Sequence, residues 1–347
     1  MRNDEITNDT RRPVPTKVEQ SAAPEEARLL SRRHFLACAG AIGVSTWLGV
    51  RRSMPAITAH ADVPASWNGP VELIRKAAAV DPITVQTLRG NLSVLIGNGG
   101  NIVVLPGPDG VLLSDAGIVG PKVAASVATI TKTPIRHLVN THWHFDHTDA
   151  NEWHHAHGAA IVAQERTRAH LATTTRVKDW DFTFPAAPAG AIPATVFADD
   201  HELRLNGSLV QLKHYPPAHT DSDVSVHFTD ADVLHVADTW WNGIYPFVDA
   251  STGGSIDGMI RATDRNLAKA TRTTVIVPGH GPVGDRAALE RWRDMLVTVR
   301  DRVAALKKKG QPLAAVVAAK PTASFDATYG RGIIGPDFFT RIVYEQV

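Results

Sequence analysis

Cysteine is nearly missing: Cys38 is the single one in 347 residues. It lies near the N-terminus, so the body of the chain can form no disulfide, thiolate metal ligand or cysteine nucleophile. Any metal bound there must be held by nitrogen and oxygen. An excess of either charge is missing too. Residues 1–61 hold nine Lys or Arg and six Asp or Glu out of 36 and 35 in the whole chain, leaving 27 basic and 29 acidic groups in residues 62–347. A body with a slight negative balance and no basic stripe argues against nucleic acid as a partner. Long apolar runs are also lacking. The longest covers about 16 residues and contains Gly, Ser and Thr, short of the ~20 that a spanning helix needs. With 44% hydrophobic and 20% charged residues, the remainder reads as globular.

The short apolar run has its own meaning. Residues 1–30 are rich in charge and proline, a disordered composition. Then follow Arg32 and Arg33, Phe35 and Leu36, and a mildly apolar stretch to Val50. Paired arginines ahead of such a stretch read as a twin-arginine export signal. The small residues Ala59 and Ala61 supply a cleavage site before Asp62. The alternative is an uncleaved anchor, for which the run is short. Lipid attachment at Cys38 is disfavoured because the apolar run follows the cysteine instead of preceding it. The expectation is residues 1–61 as disordered N-terminus and signal, residues 62–347 as one domain, the twin-arginine machinery as a partner, and a periplasmic or secreted product.

Within the body, a helix is expected near residues 70–79, then alternating strands in "ITVQTLRGNLSVLIG", "GNIVVLPGPDG" and "VLLSDAG". "GPKVAASVATITK" reads as a helix with Pro121 in its first turn. "IRHLVN" is a buried strand, and residues 150–175 are helical apart from a strand at "AAIVA". A second block of strands covers "HELRLNGSLVQLKHYPP" and "DSDVSVHFTDADVLHVAD". A helix over 255–271, the strand "TTVIVPG" and a long helix over 285–308 complete the plan. Strands then helices, repeated without a polar linker, predict an α+β domain of two packed sheets with helices on their outer faces. Residues 176–194 carry Trp180, Phe182 and Phe184 among prolines and alanines without helix or strand period. They read as an ordinary surface loop or as a mobile flap beside a site.

What the chain has in abundance is histidine in one place. "NTHWHFDHTDAN" (140–151) sets His142, His144, Asp146 and His147 within six positions. Residues two apart on an extended backbone point the same way, so His142 and His144 can share one ion. Asp146 and His147, continuing round the turn, can face a second. Further donors stand at strand ends: His219 in "PPAHTDSD", Asp238 in "LHVADTWW" and His280 in "VIVPGHGP".

H-x-H-x-D-H, then A-H-T, then an aspartate after a strand, then P-G-H-G-P resembles the metallo-β-lactamase-fold hydrolase superfamily across residues 80–285. The resemblance implies a four-layer αββα sandwich with the site at one edge of the paired sheets. It implies His142, His144 and His219 on one metal, Asp146, His147 and His280 on the other, and Asp238 bridging. Asp115 matches a position that buttresses the ligand loop. The set of five histidines and two aspartates is closer to the glyoxalase II and lactonase-type members than to the lactamases. "NGIYPFVDASTGGSIDGMI" resembles a group of exported members.

The implied activity is a dinuclear metallohydrolase whose metal-bridging hydroxide attacks an ester, thioester, lactone or amide carbonyl of a small-molecule substrate, with β-lactams among the candidates. Asp146 would orient the nucleophile and handle its proton. Histidine and aspartate donors suit two divalent ions, zinc first and manganese or iron as alternatives. Two rival readings stand beside it: an iron-dependent oxidoreductase of dioxygenase or di-iron type on the same fold, and a non-catalytic periplasmic metal-binding protein. Trp180, Trp240, Trp241 and Tyr245, with Phe247, are candidates for the substrate pocket. Trp143 and Phe145 read as packing beneath the metals. His154, His155 and His157 read as surface residues or supports of the ligand loop, and His227 and His235 as structural strand residues. No oligomeric state follows from the sequence.

Overall fold

Apolar side chains that alternate along short strands build the centre of the molecule. The computed structural model describes residues 69–97 and 99–347. The export signal and cleavage site expected within residues 1–61 lie outside the described residues.

Helix α1 (Gly69–Val80) leads into an antiparallel meander of β1 (Thr84–Thr87), β2 (Ser93–Ile96), β3 (Ile102–Leu105) and β4 (Val111–Ser114). Helix α2 (Gly120–Ile130), with proline in its first turn, crosses over to β5 (Ile135–Asn140), which lies parallel to β4. Short helices α3 (Phe145–Thr148) and α4 (Asn151–Ala156) precede β6 (Ala160–Gln164), and α5 (Glu165–Leu171) follows it. A small hairpin, β7 (Thr175–Val177) with β8 (Phe182–Phe184), stands apart before β9 (Thr195–Phe197) completes the first sheet in the order β1-β2-β3-β4-β5-β6-β9.

The second sheet runs β10 (Asp200–Leu205), β11 (Ser208–His214), β12 (Val224–Phe228) and β13 (Val233–Trp241), all antiparallel neighbours. Helix α6 (Ile256–Lys269) returns the chain to β14 (Val275–His280), parallel to β13. Ser255 caps α6 by accepting from Gly258 N, and Asp285 caps α7 (Arg286–Lys308) by accepting from Ala288 N. Helices α8 (Leu313–Ala318), α9 (Asp326–Tyr329) and α10 (Pro336–Gln346) close the chain.

Period two divides the residues of the central strands between two buried faces, while the edge strands β1 and β10 stay largely exposed. Val103, Leu112 and Val139 of the first sheet meet Val210, Val226, Val233 and Val277 of the second between the sheets. Their neighbours Ile102, Val104, Leu113 and Leu138 face outward against Val123 and Val127 of α2. Likewise Leu234, Val236 and Ile276 face Met259, Trp292 and Met295 of α6 and α7. Both faces of both sheets are therefore covered, giving the four-layer αββα sandwich expected from the sequence.

Two expectations change. Residues 176–194 are not an irregular loop. They form the β7–β8 hairpin with a 3-10 turn at Lys178–Trp180, and Val177, Trp180 and Phe184 are buried. The aromatics that broke the period there are a local core. Past residue 308 the three closing helices appear, and Phe339, Ile342 and Val343 of α10 join the core outside the second sheet. Among the described residues no helix is long and apolar enough to cross a membrane.

Leu112 is fully buried between the sheets. Leu112→Ala should lower unfolding free energy by about 2–5 kcal/mol through the cavity it leaves, read as an earlier denaturation midpoint with an unchanged slope.

Candidate metal centre

Strand ends at one edge of the two sheets deliver the donors. β5 stops at Asn140, and the next eight residues turn through α3. Asp115, just after β4 at φ +76°, holds this turn: its carboxylate accepts Thr141 N at 2.7 Å, Thr141 Oγ1 at 2.8 Å and His147 Nδ1 at 2.8 Å. A left-handed aspartate is strained backbone, tolerated where the surroundings fix it. Beneath it, Asn140 and Asn151 exchange two amide bonds of 2.9 Å. His219 sits in a loop gathered by Asp223, which accepts from His219 N at 2.7 Å and Thr220 N at 3.0 Å. Asp238 does not follow its strand, as the sequence suggested. It lies inside β13 beside a register irregularity, directly after Ala237 at φ +45°. That break in pairing re-aims the carboxylate. His280 ends β14, and Asn101 pins this end by donating to Pro278 O and Gly281 O, each at 2.9 Å.

Four of the histidines each have one ring nitrogen held and the other turned inward. His142 Nδ1 meets Thr141 Oγ1 at 3.2 Å. His144 Nε2 meets Asp249 Oδ2 at 3.0 Å, and His219 Nδ1 donates to Phe247 O at 2.9 Å. The remaining atoms converge. His144 Nδ1 and His219 Nε2 are 2.9 Å apart. Asp238 Oδ2 lies 3.3 Å from both His219 Nε2 and His280 Nε2 and 4.0 Å from His142 Nε2, while Oδ1 lies 3.0 Å from His147 Nε2. Asp146 Oδ2 is 3.2 Å from His280 Nε2 and 3.5 Å from His147 Nε2. The donors form three overlapping groups: His142, His144 and His219; His142, His147 and Asp238; Asp146, His147 and His280.

These atoms fit metal ions. His142 Nε2, His147 Nε2, His280 Nε2 and Asp238 Oδ1 are buried without an aligned hydrogen-bond partner, an expensive condition for polar atoms. With His219 Nδ1 donating to a carbonyl and His144 Nε2 to a carboxylate, the two remaining ring nitrogens face each other across 2.9 Å with no proton of their own to share. A proton could join that pair but would leave His142 Nε2 stranded. A cation that accepts several lone pairs relieves all three.

Electrostatics divides the set. Burial, then the neighbouring His147, holds the His142 pKa well below its usual range, and burial lowers that of His219. Burial also opposes charge on His147 and His280. There the carboxylates prevail: Asp146, Asp238 and Asp115 lift His147 well above the usual range, and Asp238 and Asp146 lift His280 to about 9. Asp238 is driven well below its ordinary value, its burial outweighed by His280, His147 and His219. Without ions, His147 and His280 keep protons between the carboxylates.

All seven candidate ligands and Asp115 thus stand together. Of the pocket candidates, Trp241 belongs here: its Nε1 donates to Asp238 Oδ2 at 3.1 Å and its ring centroid is 4.3 Å from that of His280. Trp180 packs 4.9 Å from His144 and stacks on Phe247 at 4.6 Å. Trp240 and Tyr245 are fully buried. Trp240 lies in the core outside the second sheet. Tyr245 is buried against Phe339 with its hydroxyl on Asp326 at 2.8 Å. Trp143 and Phe145 are buried packing residues. His154 is no surface residue: it is buried with Nε2 near Ala116 O at 3.3 Å, next to Asp115. His235 pairs with Ser114 Oγ at 2.8 Å between the sheets. Sequence reasoning missed Asp249, Asp223 and Asn101. Asp249 and Asp223 work through hydrogen bonds to a candidate ligand or its backbone, Asn101 through the backbone on either side of His280, and none sits in a metal-like spacing.

A family model described as the metallo-beta-lactamase superfamily matches residues 92–301. No curated protein matches. Among solved structures, a metallo-beta-lactamase from Pontibacter korlensis is 19% identical, with a TM-score of 0.50 over 62% of this chain and 98% of its own. The DIM-1 metallo-beta-lactamase is also 19% identical, with a TM-score of 0.51 over 62% of this chain and 98% of its own. The stereoselective inverting sec-alkylsulfatase Pisa1 from Pseudomonas sp. is 16% identical, with a TM-score of 0.57 over 79% of this chain and 51% of its own. At these identities the likeness is one of fold.

A metal entering this centre must displace protons from His147 and His280. Calorimetric zinc titrations in buffers of different ionisation enthalpy should show roughly two protons released. Because metal competes with a proton on His280, affinity should rise with pH up to about 9 and fall below it.

Proposed function

The chain belongs to the metallo-beta-lactamase superfamily, and from this premise we propose that it is a metal-dependent hydrolase of small carbonyl compounds: esters, thioesters, lactones or amides, β-lactams included. The observation that carries the reading is the convergence of buried inward-facing nitrogens: Nε2 of His142 and His147 lack an aligned partner while their Nδ1 atoms are held, and His144 Nδ1 and His219 Nε2 meet beside them with their opposite ring atoms held too. His142, His144 and His219 would hold one divalent ion, Asp146, His147 and His280 the second, with Asp238 between them. All-nitrogen-and-oxygen donors suit zinc best, with manganese or iron as alternatives. Two such ions, when bound, supply Lewis acidity toward a carbonyl oxygen and bring the pKa of water toward neutrality.

The chain's own residues do the rest. Asp146 and His280 are the most accessible members of the set, with side chains 9% and 19% exposed, so substrate approaches from their side. Asp146 Oδ2 is placed there to take the proton of the attacking water and pass it to the leaving oxygen, sulfur or nitrogen. Trp241, packed on the His280 ring and bonded to Asp238, lies beside the same approach. On the other side, Trp180 and Phe247 keep water from His144.

His142→Ala, or exhaustive chelation, should abolish turnover across a panel of ester, thioester, lactone and β-lactam substrates, with two zinc ions per chain in the active protein. Undiminished activity in metal-free protein would sink the hydrolase reading. One iron per chain would favour the oxygenase alternative, and binding without turnover on any substrate the non-catalytic one.

The proposal includes export of the folded, loaded protein, on the strength of Arg32 and Arg33 ahead of the apolar stretch. Replacing both arginines by lysine should hold the unprocessed chain in the cytoplasm, as cell fractionation would read. Normal export of that variant would refute the twin-arginine route.

A further inference from the structure

His144 turns its outer nitrogen toward a carboxylate that no sequence motif announces. Asp249 Oδ2 lies 3.0 Å from His144 Nε2, and both side chains are buried. The carboxylate is fully engaged as an acceptor: Thr252 Oγ1 donates to Oδ2 at 2.7 Å and Ser251 N to Oδ1 at 2.9 Å. Trp143 Nε1 donates to Thr252 Oγ1 at 3.3 Å, so the residue beside the ligand supports the same group. Asp249 N donates to His219 O at 2.9 Å, and Gly254 N to Asp249 O at 2.8 Å. One residue therefore touches two neighbouring donors, His144 through its side chain and His219 through its backbone.

An ionised carboxylate only accepts hydrogen bonds, so it draws the His144 proton to Nε2 and leaves the lone pair on Nδ1. The consequence appears 2.9 Å away, at His219 Nε2. If His144 carried its proton on Nδ1 instead, it would donate to His219 Nε2. That bond would satisfy both nitrogens and close the three-histidine group to metal. Asp249 denies the pair this self-satisfied state. Asp115 does the same for His147 in the other half of the centre, binding Nδ1–H and leaving Nε2 open.

We propose that Asp249 is a positioning residue of the metal centre: it fixes the tautomer of His144 so that Nδ1 stays open to an ion shared with His142 and His219. This rests on the metal-binding reading above. The two halves of the centre then have matching construction, each with one histidine backed by a buried carboxylate.

Two measurements on the purified full-length chain test it. Long-range proton–nitrogen correlation spectra of the metal-free protein at pH 8 should show His144 carrying its proton on Nε2 in the wild type. Asp249→Asn, whose amide can donate to Nε2, should move the proton to Nδ1. Competition with a zinc-chelating dye should then show one of two zinc ions weakened about 10–100-fold in Asp249→Asn and Asp249→Leu, the other changing by less than roughly threefold. Asp115→Asn should weaken the other ion instead. A wild-type His144 protonated on Nδ1 overturns the proposal, and so does unchanged zinc affinity in a folded Asp249→Asn. If the variants do not fold, the wild-type spectrum still decides. If the wild type binds no zinc at all, the metal reading falls separately, since the tautomer is read without metal.

Discussion

Two imidazole nitrogens, His144 Nδ1 and His219 Nε2, face each other across 2.9 Å in a dry interior, each with its own proton committed elsewhere. The contact lies between the ligand turn after β5 and the loop after β11, 75 residues apart in the chain. Repulsion of this kind is stable only if the surroundings over-determine it. Four of the five candidate histidines accordingly have a restraint on the far side: Thr141 on His142, Asp249 on His144, Asp115 on His147, Phe247 O on His219. The polar network is built to keep donors unsatisfied toward one point, the inverse of what a folding chain does elsewhere.

Such a centre asks the backbone for close approach. A methyl on Gly100 would stand 2.1 Å from the His147 ring, and one on Gly279 would stand 1.9 Å from Asp238 Oδ1. Neither distance is sterically tolerable, so these two positions accept no side chain. The positive φ angles of Asp115 and Ala237 belong to the same constraint, since both flank residues whose carboxylates serve the centre. The strain is sustained by the sandwich behind it, where both faces of both sheets are buried. Folding stability accumulates in those apolar layers, while the edge carries the unfavourable contacts.

The sandwich was legible in the sequence because period-two alternation and turn residues survive without tertiary context. The ligand turn was legible because four donors lie within six residues, and His219, Asp238 and His280 because each lies at or near a strand end. Asp249, Asp223 and Asn101 were not. Asp249 and Asn101 work through hydrogen bonds across long sequence separation, as in the 105 residues between Asp249 and His144, and Asp223 through a turn of its own loop whose bonds to His219 N and Thr220 N show only in the fold. No local pattern marks them. Trp240 and Tyr245 could not be placed from the sequence for a related reason. Proximity to Asp238 along the chain said nothing of facing, and the register irregularity between Ala237 and Trp241 brings Trp241 onto Asp238 while Trp240 and Tyr245 are fully buried. The hairpin at 175–184 escaped because its strands are three residues long, too short to show a period.

The family match ends at residue 301, yet chain beyond that point reaches the surroundings of the site. Arg341 of α10 donates to Asp179 at 2.7 Å, in the turn that carries Trp180 against His144. Asp326 at the start of α9 accepts from Tyr245 at 2.8 Å, fixing the segment between Trp241 and Phe247. From the other end, Arg75 of α1 grips Asp149 with two bonds of 2.7 and 3.0 Å while lying over Phe145, Phe182 and Phe184. The donors come from inside the shared fold, and the aromatic walls beside them are tied down by helices outside it. The clustered donors and the aromatic residues beside them are therefore held by different parts of this chain, the first by the strand ends of the sandwich and the second in part by α1 and α10.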